Sequence, residues 1–105
     1  MKVNFNVKFK GLHGEELDRL ISDALAEAMY SAGSEGNQIP NEEKFVAYKI
    51  CTRIISSKNE IEITTEEASL IKRVAANCFT AGAYGQIYEL IENESVSHGS
   101  NKKGK

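Results

Sequence analysis

The chain has 105 residues, 41% of them apolar, which suits one compact domain and is too little for two independent cores. Its formal charge of −2 is unevenly spread: residues 1–93 carry ten Lys/Arg against fourteen Asp/Glu, whereas residues 94–105 carry three Lys and Glu94. An acidic body argues against a duplex-binding domain, whose affinity comes largely from neutralised phosphates.

In chain order, Val3, Phe5, Val7 and Phe9 alternate with Lys2, Asn4, Asn6, Lys8 and Lys10, the pattern of one half-buried strand. Gly11-Leu12-His13-Gly14 breaks it. Leu17, Leu20, Ile21, Ala24, Leu25, Ala28 and Met29 then recur at helical steps, which predicts a helix over 15–31 with Glu15, Glu16 and Asp18 complementing its dipole. Two glycines and several turn formers make 31–40 a loop closed by Pro40. Asn41 is the predicted cap of a second helix carrying Phe45, Val46, Tyr48, Ile50, Cys51, Ile54 and Ile55, an arc broad enough for a central, buried helix. Glu60 to Ile63 reads as a short strand, with the first strand as its natural partner and Lys8 and Lys10 neighbouring Glu60 and Glu62.

Thr64-Thr65-Glu66-Glu67 has the form of a capping box and starts a third helix striped by Ala68, Ile71, Val74, Ala75 and Cys78. Phe79-Thr80-Ala81-Gly82 interrupts that stripe, and a last helix follows over 82–93. From Glu94 the period is lost and apolar content nearly vanishes, so a disordered tail over 94–105 is expected after a domain over 1–93. The architecture predicted is α+β: a small two-stranded sheet packed against about four helices. No apolar run approaches the roughly 20 residues needed to span a bilayer, and Met1-Lys2 opens on alternating polar residues, unlike a secretory leader. A cytoplasmic protein without membrane contact is expected.

From Lys8 to Gly14, in KFKGLHGEEL, and from Lys44 to Glu92, in KFVAYKICTRIIS and IEITTEEASLIKRVAANCFTAGAYGQIYELIE, the chain resembles small proteins encoded in bacteriophages and prophages, mostly of unassigned function. That resemblance implies a mobile-element accessory protein and carries over no catalytic residue. Residues 32–40 fall outside it.

Chemistry-bearing residues are sparse. His13 and His98 have no further ligands at metal-site spacing, and Cys51 and Cys78 sit in apolar stripes, as reduced core thiols do. No catalytic, cofactor or metal site is predicted, and an enzyme is not expected. Gly11 to Gly14, Gly33 to Gly36 and Gly82 to Gly85 are G-x-x-G stretches that turns and close packing explain. Phe79, Tyr84 and Tyr88 form the candidate aromatic strip for a protein partner or a homodimer mate. The alternative is a nucleic-acid surface joining Lys2, Lys8 and Lys10 to Lys102, Lys103 and Lys105.

Overall fold

The computed structural model describes residues 1–34 and 38–99. The elements run β1 (Lys2–Val3), β2 (Lys8–Lys10), β3 (Glu16–Leu20), α1 (Ile21–Tyr30), α2 (Asn41–Ser56), β4 (Ile61–Glu62), α3 (Thr65–Cys78) and α4 (Ala81–Gly99). The class is α+β and helix-rich. Among the described residues there are two separate two-stranded antiparallel sheets, β1 with β4 and β2 with β3, in place of the single sheet expected.

The alternating segment at the start is two strands with a bend between them. Asn6 donates its backbone N–H to its neighbour Asn4 Oδ1 at 2.9 Å and its side-chain amide to the Lys58 carbonyl at 3.0 Å. This local side-chain bonding competes with a continuous ladder. Val3, Phe5 and Phe9 keep the inward alternation, whereas Val7 is exposed. Lys2 stands opposite Glu62 and Val3 opposite Ile61, so the predicted partnership of the first and last strands holds only at the chain's first residues. Lys8 and Lys10 instead face Leu20 and Glu16, with an irregularity between them.

The start of the first helix is six residues later than expected, at Ile21, because the chain makes a hairpin first. Gly14 donates to the Gly11 carbonyl at 3.0 Å, Gly11 donates to the Glu15 carbonyl at 2.8 Å, and Gly14 takes a φ of +87° that favours glycine. The Glu15 carboxylate folds over the turn and accepts from His13 N at 3.1 Å. Glu16 and Asp18 therefore belong to β3, and Asp23 is the acid in the first turn of α1. Leu17 matches a helical period by coincidence and is exposed.

The core is formed by Leu25 and Met29 of α1, Ala47, Ile50 and Ile54 of α2, Leu70, Ile71 and Val74 of α3, and Ile87 and Ile91 of α4, closed by Val3, Phe5, Ile61 and Ile63. The most extensive packing is between α1 and α2. The helix α4 reaches Gly99, beyond the predicted end at 93, since Glu94 to His98 contain neither Gly nor Pro and a helix propagates one hydrogen bond at a time without needing an apolar stripe. The rest of the predicted tail, 100–105, lies outside the described residues, as does Gly36 of the loop. On its first turns, the Gln86 amide donates to and accepts from the backbone of Lys10, at 2.9 and 2.7 Å.

The capping box forms as read from the sequence. Glu67 N donates to Thr64 Oγ1 at 3.0 Å and Thr64 N donates to Glu67 Oε1 at 2.9 Å. The same carboxylate takes both Arg53 guanidinium nitrogens, at 2.9 and 3.2 Å, which holds its pKa below the usual carboxylate range. Thr64→Ala should therefore lower stability by about 0.5–2 kcal/mol in urea unfolding at neutral pH. Glu67→Gln removes a charge-assisted pair and should lower it by roughly 1–3 kcal/mol. Because the folded pKa of Glu67 is depressed, this contribution is full above its unfolded pKa and is lost as pH falls through the folded value. The gap between wild type and Glu67→Gln should begin to narrow as pH falls below about 4, the ordinary glutamate range of the unfolded chain; a constant gap down to pH 3 would contradict the pairing.

Candidate functional site

The predicted aromatic strip is divided by the fold. Phe79 caps α3 and packs on the core, its ring centroid 6.4 Å from that of Phe9. Tyr84 also packs on the core, 5.9 Å from Tyr88 between centroids. Tyr88 alone of the three is exposed, and Lys72 Nζ sits over its ring at 4.4 Å while also pairing with Glu92. A ring so occupied presents little unengaged apolar surface.

The lysines of the alternative surface are also dispersed. Lys2 lies on β1 opposite Glu62, and Lys8 and Lys10 lie on β2 in the other sheet. Lys102, Lys103 and Lys105 lie outside the described residues. His13 is exposed in the hairpin turn, and the described residues contain no group of three or more His, Cys, Asp or Glu placed to hold a metal ion. Gly82 and Gly85 face open space, so close packing does not explain them.

The larger exposed apolar surface lies on α2, among residues that the sequence reading places in the core. A helix buries one face, and α2 buries Ala47, Ile50, Cys51 and Ile54. At about 100° per residue, Phe45 and Ile55 each lie about 140° around the helix from Ile50. They cannot share its burial. Phe45 is 62% exposed, Tyr48 51% and Ile55 59%, and the Phe45 and Tyr48 rings stack at 6.5 Å. Tyr30, at the end of α1, is 72% exposed.

Ion pairs orient this face from behind. Arg53 binds Glu67 at the start of α3, and Glu43 accepts both guanidinium nitrogens of Arg73 at 2.9 and 2.7 Å. The Arg73 guanidinium holds the Glu43 carboxyl below its ordinary pKa. With one side of α2 bound to α3 and another packed on α1, the remaining side faces outward. Between α1 and α2 runs an open groove of about 570 Å³ lined by Arg19, Asp23, Glu27, Tyr30, Cys51 and Ile55. Arg19 and Glu27 form an ion pair across part of it. The signal for this face was present in the sequence as an apolar arc too wide for one helix to bury.

Such a surface offers flat aromatic contact and a shallow groove. No family model, curated protein or solved structure matches the chain.

Of the two thiols expected in the core, one is there and one is not. Cys51 is buried and its pKa is pushed up by desolvation, whereas Cys78, in the last turn of α3, is exposed. The apolar stripe of α3 ends before its last turn, at Ala75. A thiol-reactive chromogenic reagent should modify Cys78 rapidly in the native protein and Cys51 only slowly, with both reacting at once in denaturant. Equal native rates, checked with Cys78→Ser, would contradict the burial of Cys51.

Proposed function

We propose that this chain is a non-enzymatic protein-interaction module whose working surface is the outer face of α2, continued by Tyr30. The observation that carries this reading is the exposure of Phe45, Tyr48 and Ile55 together on the side of α2 turned away from the core. With Tyr30 they leave on the order of 500 Å² of side-chain surface in water, a patch size associated with interaction sites.

The energetics favour recognition. Burying each of these side chains in a partner is worth roughly 1.5–3 kcal/mol, and aromatic residues are the usual anchors of interfaces. The ion pairs and core contacts behind α2 hold the anchors before a partner arrives, which reduces the ordering cost of association. Tyr88 is a secondary contact, because it is the least exposed of these rings and the lysine over it is fixed by its pair with Glu92. The resemblance to phage-encoded small proteins makes an accessory role in such an element part of the same proposal.

A photo-cross-linking residue at position 52, centred on the face, should join the chain to its partner in the native host. The double variant Phe45→Ser/Tyr48→Ser should abolish that product while shifting the thermal midpoint by only a few degrees, since exposed substitutions change stability by about 0.5 kcal/mol or less. Tyr88→Ser should leave the product intact. Undiminished cross-linking in the double variant would overturn the assignment of the face.

A further inference from the structure

Resting on that reading, we infer that the face of α2 receives an acidic amphipathic helix from a partner of different sequence. Phe45, Tyr48, Thr52 and Ile55 follow one another at steps of three, four and three, the spacing of a helix-packing seam. All four are exposed, and the seam runs about 15 Å along the axis. A second helix with apolar residues at the same spacing can lay its side chains between them, with the groove beside Ile55 accepting one edge.

The flanking charges select the occupant. Lys44 immediately precedes Phe45 and Lys49 immediately follows Tyr48, so their positions on the helix border the seam on opposite sides, the Lys44 stem lying against Gly33 of the turn after α1. Neither lysine is in an ion pair among the described residues, whereas Arg53, Lys72 and Arg73 each are. The Lys49 ammonium lies over the Phe45 ring, 5.5 Å from its centroid, so a partner that takes this ring meets the ammonium beside it. The acids around the face are engaged or displaced from its centre: the Glu67 carboxylate, which feels the Lys49 charge, is held by Arg53, Glu42 sits in the first turn of α2, and Asp23 and Glu27 line the groove on the α1 side, with Glu27 held by Arg19.

A second copy of the chain fits this arrangement poorly. Antiparallel pairing that sets Phe45 over Ile55 of the mate brings Lys49 against its own equivalent. Parallel pairing sets Lys44 against Lys49. Both place like charges beside an apolar contact that excludes water, where repulsion is least screened. Acidic residues at the flanking positions of a partner helix turn both contacts into ion pairs.

Two designed helical peptides of three heptads test this. Both carry leucine at the seam positions; one has glutamate and the other lysine at the flanking positions. By fluorescence anisotropy with the full chain, the acidic peptide should bind at least about tenfold more tightly, the equivalent of two modest ion pairs. Phe45→Ser should abolish its binding, and Lys44→Glu/Lys49→Glu should reverse the preference between peptides. Equal binding of the two peptides, or none of the acidic one, would overturn the inference. A dimer seen by sedimentation and split by Tyr48→Ser would overturn it too, yet leave the interaction face standing. Loss of cross-linking specificity at position 52 would instead remove the underlying reading.

Discussion

One carboxylate organises the middle of this protein. Glu67 closes the start of α3 by accepting from Thr64 N, and it accepts both terminal nitrogens of Arg53, which also donates to the Glu62 carbonyl at 2.9 Å. Three successive segments, α2, β4 and α3, are thus tied at one point. The pair is partly buried, with side-chain exposures of 33% for Arg53 and 16% for Glu67, so either charge alone would be left poorly solvated. Its structural consequence is the roll of α2. A helix with apolar residues around most of its circumference could pack on any side, and the Arg53 contact acts with the buried Ala47, Ile50 and Ile54 to set which side is turned inward.

That dependence explains which parts of the architecture could be read from the residues. The start of α3 was legible because a capping box is a local chemical motif, complete within four residues. The strand at Ile61–Glu62 was legible from alternation and its turn-rich flank. The start of α1 was not: Leu17 and Leu20 have the spacing of a helix, and only the closing bonds among Gly11, Gly14 and Glu15 make that stretch a hairpin arm. Asn4 and Asn6 similarly break a pattern whose apolar residues alternate without interruption.

The candidate surface was legible in composition and illegible in position. Phe45, Tyr48 and Ile55 stand out in the sequence, but periodicity alone cannot say which side of α2 is covered when both sides are apolar. Phe79 and Tyr84 show the reverse case, since aromatic residues beside glycines read as available and are drawn onto the core through Phe9 and the base of α4. Burial is a property of the neighbours as much as of the residue. Cys78 follows the same logic, one turn beyond where the α3 stripe meets its neighbours.

The Gln86 side chain carries a different consequence. A two-stranded sheet has an open border on each side, and an open border is a template on which another chain can lengthen the ladder. At Lys10 that template is already used: the Gln86 amide accepts from the backbone N–H through its oxygen and donates to the backbone carbonyl through its nitrogen, which also donates to the Gly82 carbonyl of its own helix. In effect α4 supplies β2 with a third strand one residue long. One side chain thereby closes the β2 border at Lys10 to the backbone of a further strand.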